Sequence, residues 1–440
     1  MALFYSKKKM QAVEAQVKAL QSFNTAQVSS QINRNLAQKF GTYYASPDFN
    51  AADLTGQFAT SDQVYSVVNM IAESASYVPV ELMQKKDEVA LKKYNALHNR
   101  KFYTTKGIFD MMVVRNKALS PVTKKNKAQS ILDAPNDYMS KTDFLHAAYA
   151  YYLLNGEAII WIERVPVDLG NDAGLPYQLH LIPPYNVDMI ITREFPQKVL
   201  SYTIRLNGLP VLENIPPEDI MHWKRVNLRM NSMGEQFRGM SPLAPAPYLL
   251  ASLSEADKRS LMQLKNGAVP GIVYDDDFEG DEMNQTAFDD QRKKFYDFSK
   301  NPDNTGAPFF VGTKKGFIQT GLSLADLKLI ELQQINFKRL CNIYKVSTIL
   351  FNSETASTES NVQEMTKRMY TAACLPMIYS FANTLNSRLL PIYDEATTYF
   401  DCDVSAVTEL QDDIKLMLQA FSYLPVSPSG NEIRQLINFD

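Results

Sequence analysis

Apolar positions along the chain recur at helical spacing in some blocks and at a spacing of two in others, and the alternation between these periods outlines the fold. From Ser61 onward Val64, Val67, Val68, Ile71 and Ala75 fall on one helical face, with Ser61 placed to cap the first turn. Val78 to Leu82 then reads as a strand. A second helix is predicted from about Lys141 to Asn155, where Asn155-Gly156 supplies a left-handed stop, and Ala158–Arg164 (AIIWIER) starts a strand. Between Tyr177 and Trp223 the period changes to two. LHLIPP, VDMIIT, VLSYTIRL and LPVLENI read as strands, and Asn207-Gly208 between the last two is a hairpin turn.

The longest helical pattern lies between Gly239 and Gly271. Leu250, Leu253, Ala256, Leu261 and Leu264 form its apolar stripe, and Asn266-Gly267 with Pro270 ends it. Ser241 and Pro242 suit a helix start. Pro245 and Pro247 each remove an amide donor, which places the start of regular helix at Pro247 or Tyr248 instead. About 25 residues at ~1.5 Å each would make a rod of roughly 37 Å. A small α/β insert is expected next: a strand at Gly271–Tyr274, an acidic turn at Asp275–Glu282, a helix at Thr286–Ser299, and a hairpin pairing Pro308–Gly312 with Phe317–Thr320. Ser323 is placed to cap a second long helix, Leu324 to about Tyr344. Leu327, Ile330, Phe337, Cys341 and Tyr344 follow one of its faces, while Leu329, Leu332 and Ile343 widen the apolar surface, so this helix needs neighbours on two sides.

The polar loop Asn352–Asn361 (NSETASTESN) leads to helices at Val362–Ala373 and Pro376–Leu390, separated at Leu375-Pro376. Tyr399–Thr408 reads as a final strand and Glu409–Leu424 as an amphipathic helix. Residues 1–50 are polar, with some helical spacing through Met10, Val13, Val17 and Leu20, and read as a tail or an arm that docks on a neighbour. Residues 84–130 carry twelve lysines and arginines between Lys85 and Lys127 and read as a solvated basic loop, with contact to DNA phosphate or to acidic capsid partners as the functional alternative. The pattern is α+β, built from several subdomains.

Composition narrows the chemistry. A net charge of −3 argues against a broad basic grip on nucleic acid. Three scattered cysteines, Cys341, Cys374 and Cys402, read as buried free thiols. No run of eighteen apolar residues suggests a membrane span, and the start of the chain has no secretory pattern. The four histidines are far apart, and G-x-S-x-G, H-E-x-x-H and C-x-x-C are absent. His146, beside Leu145, Ala148 and Tyr149, reads as a packed histidine. Gly306–Lys315 lacks phosphate-loop spacing, and the acidic run from Asp275 has Thr286 where a calcium loop needs its glutamate. No cofactor or metal is expected.

The ordered set of segments carries a family resemblance. G-x-SPL, a long helix and NGA-x-P-G-I-V followed by an acidic turn, together with Val64–Pro79, Ser130–Glu163, Leu179–Val187, Pro217–Trp223 and Asn431–Ile437, is similar to the HK97-type bacteriophage portal proteins. The resemblance implies a non-enzymatic ring, by family habit a dodecamer, at one capsid vertex, through which double-stranded DNA is packaged and ejected. It implies an N-terminal arm (1–60), a wing (61–240), a first stem helix (241–266), a clip (267–322), a second stem helix (323–345), a tunnel-loop region (346–362), and further wing and crown helices (363–440). Implied partners are other copies of the chain, the major capsid protein, the terminase large subunit and a head–tail adaptor, in the virion and in the host cytoplasm during assembly.

Two residue groups follow from that assignment. Asn352, Ser353, Glu354, Thr355, Ser357, Thr358 and Glu359 would line the DNA path. Small hydroxyls with two carboxylates and no base suit a surface past which phosphate must slide. Asp275, Asp276, Asp277, Glu279, Asp281 and Glu282 would meet basic residues of the terminase or adaptor at the clip. The competing reading, a soluble intracellular enzyme with a β-rich substrate domain, rests on chain size alone.

Overall fold

The computed structural model describes residues 42–45, 50–99, 105–122, 126–166, 174–192, 194–231, 234–266, 271–275, 289–290, 293–294, 297, 315–319, 329–351, 359–393, 397–404 and 407. The chain divides into two compact units, Met1–Ala244 with Tyr344–Asp440, and Pro245–Ile343 between them.

In the first unit, strand β1 (Thr42–Ala45) precedes helices α1 (Asn50–Thr60) and α2 (Asp62–Ser76). Ser61 caps α2 by accepting from the Val64 amide at 3.4 Å, and Val64, Val67, Val68, Ile71 and Ala75 are all buried, as their spacing predicted. Strand β2 (Val80–Lys85) follows. Residues 84–130 are then not the expected basic loop. They form α3 (Glu88–Asn99), α4 (Thr105–Ala118), β3 (Leu119–Pro121) and the start of α5 (Lys127–Asp133). Each of α3 and α4 buries a short stripe, Leu91 and Tyr94 on one, Met111, Arg115 and Ala118 on the other. Lys92 and Lys93 point outward between the buried positions, and a stripe this narrow is masked by the charge around it.

Helix α6 (Lys141–Asn155) is capped by Ser140 and stopped by Gly156, whose φ of 77° is the left-handed stop its sequence required. Strand β4 (Glu157–Arg164) pairs antiparallel with β5 (Pro176–Ile182) on one side and β9 (Ile220–Lys224) on the other. Strands β6 (Val187–Thr192), β7 (Val199–Leu206) and β8 (Leu209–Ile215) continue from β1 in the order β1-β6-β7-β8. Asn207 and Gly208 both have positive φ, 51° and 79°, as a two-residue hairpin demands. The inner faces of these two sheets meet in a core containing Ile159, Val187, Met189, Ile191 and Ile204.

After the second unit the chain re-enters at Tyr344. Helices α9 (Glu359–Met369) and α10 (Leu375–Arg388) were expected to be separated at Leu375-Pro376, but a π-helical turn at Tyr370–Cys374 joins them. The Leu375 amide reaches back to the Tyr370 carbonyl, so the wider turn absorbs the donor that Pro376 lacks. Strand β12 (Thr398–Cys402) is shorter than the predicted 399–408 and pairs with β2, giving the order β12-β2-β3. The Asn386 side chain covers its free edge, donating to the Phe400 carbonyl at 2.8 Å and accepting from the Phe400 amide at 2.7 Å. Beneath this sheet Arg115 Nε lies 2.5 Å from Asp401, which also accepts from Tyr94 at 3.0 Å. All three cysteines are buried free thiols. The predicted helix at 409–424 lies outside the described residues.

In the second unit, α7 (Pro247–Asn266) and α8 (Leu329–Tyr344, whose last residue belongs to the first unit) are the two long helices. Helix α7 starts at Pro247, not Ser241: the Ala244 amide closes a separate turn onto Ser241, the Leu249 and Leu250 amides close the first helical turn onto Ala246, and the prolines prevent an earlier ladder. Strand β10 (Gly271–Asp275) pairs antiparallel with β11 (Lys315–Gln319), from Gly271 opposite Gln319 to Asp275 opposite Lys315. The strand near Phe317 was expected to pair with Pro308–Gly312, a segment that lies outside the described residues; within the described residues it pairs with β10. The predicted helix at Thr286–Ser299 falls largely outside the described residues.

Candidate functional site

Two features of the chain have the form of a working part: the root from which the second unit is inserted, and the helical pair within it. The root is built around the last turn of α6. The Leu154 carbonyl accepts from the Ser241 hydroxyl, and the Leu153 carbonyl accepts from Tyr344 at 3.1 Å. The residues that lead out of the first unit and back into it are therefore held by consecutive carbonyls of one helix end. Ser241, expected as a helix cap, is a tie instead. Gly156 and Gly239 cross so closely that a side chain on either would overlap the backbone of the other segment. The Gly156 carbonyl accepts from the Arg225 amide at 2.7 Å.

A buried ionic group locks this crossing. One Glu157 oxygen sits 2.5 Å from Arg238, and the other accepts from the Gly239 amide at 2.5 Å and from His222 Nε2 at 3.0 Å. The Tyr202 hydroxyl meets His222 Nδ1 at 3.3 Å, and the carboxylate at Nε2 requires the proton there. The remaining Arg238 donors go to the Pro184 and Val187 carbonyls, each at 2.8 Å. Burial opposes charge on Glu157, but Arg238, His222 and the Gly239 amide together hold its carboxyl below the ordinary range. Burial likewise pushes His222 down, against the pull of Glu157. The ion pair is thus Glu157–Arg238, with His222 as a neutral donor. Sequence reading passed over all three residues.

The adjoining wall is aromatic. Tyr152 stacks on Trp223 with ring centroids 3.7 Å apart, Phe381 and Tyr149 meet Trp223 edge-on, and Arg225 covers the outer face of Tyr152 at 4.8 Å. His146, read as a packed histidine, approaches Asn69 at 3.0 Å. The carboxylate and imidazole of this root are engaged with one another and buried, their side chains 4% and 8% exposed.

In the second unit, Asn336 donates to Ser252 at 2.8 Å and Gln333 donates to Asp257 at 2.5 Å. The partners rise along α7 as they fall along α8, so the helices run antiparallel. Leu249, Leu253 and Ala256 on α7, and Asn336, Leu340 and Cys341 on α8, are buried. Leu261 on α7 and Leu332 and Ile335 on α8 remain exposed within one chain.

Of the predicted contact residues, Asp275 ends β10 opposite Lys315, and Glu359 begins α9. Asp276, Asp277, Glu279, Asp281, Glu282, Asn352, Ser353, Glu354, Thr355, Ser357 and Thr358 lie outside the described residues. No group of three or more potential metal ligands occurs among the described residues, and none of their helices is long and apolar enough to cross a membrane.

Among solved structures, the neck of an empty gene transfer agent particle, computed with C6 symmetry, is similar over 93% of this chain and 100% of that one, with TM-score 0.61 and 16% identity. The neck of the native particle, computed with C12 symmetry, is similar over 93% and 99%, with TM-score 0.59 and 16% identity. An HK97 family phage portal protein from Corynebacterium diphtheriae aligns over 84% and 97% with TM-score 0.49 and 11% identity. At such identities the two neck structures show a shared α+β fold. No curated protein matches the sequence. The model of the phage portal protein family matches residues 109–438, three quarters of the chain, including both long helices, the root and the β-rich region before it. The chain therefore belongs to the phage portal protein family.

Proposed function

We propose that this chain is the subunit of a portal ring, by family habit a dodecamer, that forms a channel at one capsid vertex for DNA packaging and ejection. The observation that carries this is the second unit: an antiparallel helical pair with Leu261, Leu332 and Ile335 exposed, inserted in a chain whose family is portal. Apolar stripes left open on such a pair are covered when identical pairs stand side by side around a closed ring. The neck structures of similar fold, computed with C6 and C12 symmetry, support ring assembly within a virion.

On this reading residues 61–240 and the late helices form the wing, 241–266 and 323–345 the stem, 267–322 the clip, 346–362 the tunnel-loop region and 363–440 the remaining wing and crown. The acidic run from Asp275 to Glu282 meets the terminase large subunit and then the head–tail adaptor, and residues 352–359 face the DNA. The major capsid protein surrounds the ring, which assembles in the host cytoplasm. Native mass spectrometry of the purified chain, with negative-stain images, tests the ring: a closed particle many-fold heavier than one subunit is expected, and a monomer or dimer at all concentrations would overturn it.

A further inference from the structure

Two exposed apolar surfaces on the first unit have complementary composition and do not cover one another. The first is the segment that leaves β9. Val226, Leu228 and Met230 alternate with Arg225, Asn227 and Arg229, and the three apolar side chains are 79%, 89% and 64% exposed. Free apolar side chains on a loop ordinarily fold back, but here the loop is framed from behind. Asn227 donates to the Glu235 carbonyl at 2.9 Å and accepts from the Arg229 amide at 3.0 Å. The Glu235 amide donates to Asn231 at 3.2 Å, and Gln236 bonds both the Asn231 amide and Gln197. Lys224 donates to the Gln236 and Phe237 carbonyls at 3.0 and 2.9 Å. The polar side chains are thus spent on holding the loop, and the apolar ones are held out. At the base, Arg225 rests on Tyr152 with its Nε buried and without a hydrogen-bond partner.

The second surface is the hairpin β7–β8 at the end of its sheet. Leu206, Leu209 and Val211 are 52%, 66% and 56% exposed, and Glu213 is exposed beside them. Pro210 removes a backbone donor, and the register shift between Ile204 and Arg205 disrupts the ladder at this position. A proline and a bulge on an outer strand discourage pairing of another strand, so contact here is through side chains.

We propose that these two surfaces meet between adjacent copies of this chain, the ridge Val226–Met230 of one packing on the β8 hairpin of the next, with Arg229 facing Glu213. The proposal rests on the ring reading and supplies it with a wing contact distinct from the helical pairs. A cyclic ring needs two different, non-overlapping surfaces on every subunit, and the two surfaces are of that kind. Their charges match, with arginines and no carboxylate on the ridge and a carboxylate with no base between Leu209 and Ile215 on the hairpin.

Cross-linking tests this with the full chain. Cys341, Cys374 and Cys402 are buried, so cysteines introduced at Val211 and Leu228 are the accessible thiols among the described residues. Under mild oxidation Val211→Cys with Leu228→Cys in the same chain is expected to give a denaturing-gel ladder of covalent multimers up to the full ring, and each single variant only monomer. Glu213→Arg and Arg229→Glu are each expected to weaken the ring at low salt, and their combination to restore it. A double-cysteine variant that forms the ring but yields no ladder, with charge reversals that change nothing, overturns the contact and assigns the ridge to another partner such as an adaptor or capsid protein. A dimer from either single cysteine overturns the head-to-tail pairing. A parent chain that never forms a ring overturns the ring reading itself, and this contact with it.

Discussion

Gly239 passes Gly156 backbone to backbone, with the Gly239 amide donating to Glu157 and no space for a Cβ on either glycine. The crossing lets the chain turn out of the first unit while α6 ends beneath it. Gly156 adds a second demand, a φ of 77° that side-chain-bearing residues rarely adopt. Gly156→Ala and Gly239→Ala are each expected to cost about 3 kcal/mol, because the obstructing atoms are backbone and cannot rotate away. Gly208→Ala, where no atom lies within contact range, should cost distinctly less despite its similar φ. Urea titration of the three variants compares them.

Acid should loosen the root before it unfolds the rest. Burial and its neighbours hold His222 below its ordinary value of 6.5, so the unfolded chain binds a proton there first and stability falls as pH drops below about 6.5. Glu157 is also held below its ordinary value of 4.5, by Arg238, His222 and the Gly239 amide acting against burial. Its stabilisation is present above that pH and is lost as pH falls through the folded value. Both groups therefore act in the same direction. A series of melting temperatures from pH 8 to 4 should slope downward toward acid, and His222→Gln should flatten the upper part of that slope. Glu157→Gln should cost roughly 3 kcal/mol at neutral pH, since Arg238 stays buried without its counter-charge.

If residues 352–359 form the proposed tunnel loop, charge reversal there is expected to act on DNA passage and not on assembly. Glu354→Lys with Glu359→Lys would place two new cations per subunit, repeated around the proposed ring, beside the sliding phosphates. Each adds a salt-sensitive binding term. Packaging should slow or stall at low ionic strength and recover partly as salt rises, with the ring intact by microscopy. Packaging equal to the parent at every ionic strength would remove the loop from the DNA path.

The acidic run gives a separate outcome. Replacing Asp275, Asp276 and Asp277 with asparagine should leave the ring assembled and weaken terminase docking at moderate salt, because rim charges act chiefly through encounter rate and screening. Association rates measured across a salt series check it. A rate unchanged at all salt concentrations would show the run to be a solvated turn.

Local patterns determined much of this protein. Ser61 with Val64 to Ala75, the stop at Asn155-Gly156, the period of two from Tyr177 to Trp223 and the Asn207-Gly208 turn each bind residues close in sequence to one backbone conformation, so they were legible without the fold. The ordered segments also pointed to the portal family before any contact was known. Tertiary structure decided what depends on partners distant in the chain. The helices at 88–118 were hidden because their buried stripes are narrow and need Asp401 on β12 opposite Tyr94 and Arg115. The union of α9 and α10 required a π-turn to absorb Pro376, and β11 took β10 as its partner across forty residues. Glu157, His222 and Arg238 stand up to eighty-one positions apart, and nothing near any of them in sequence signals that one carboxylate will be enclosed by the other two. Burial of charge is a property of the assembled core, where desolvation makes a partner obligatory, and only the folded chain specifies which partner arrives.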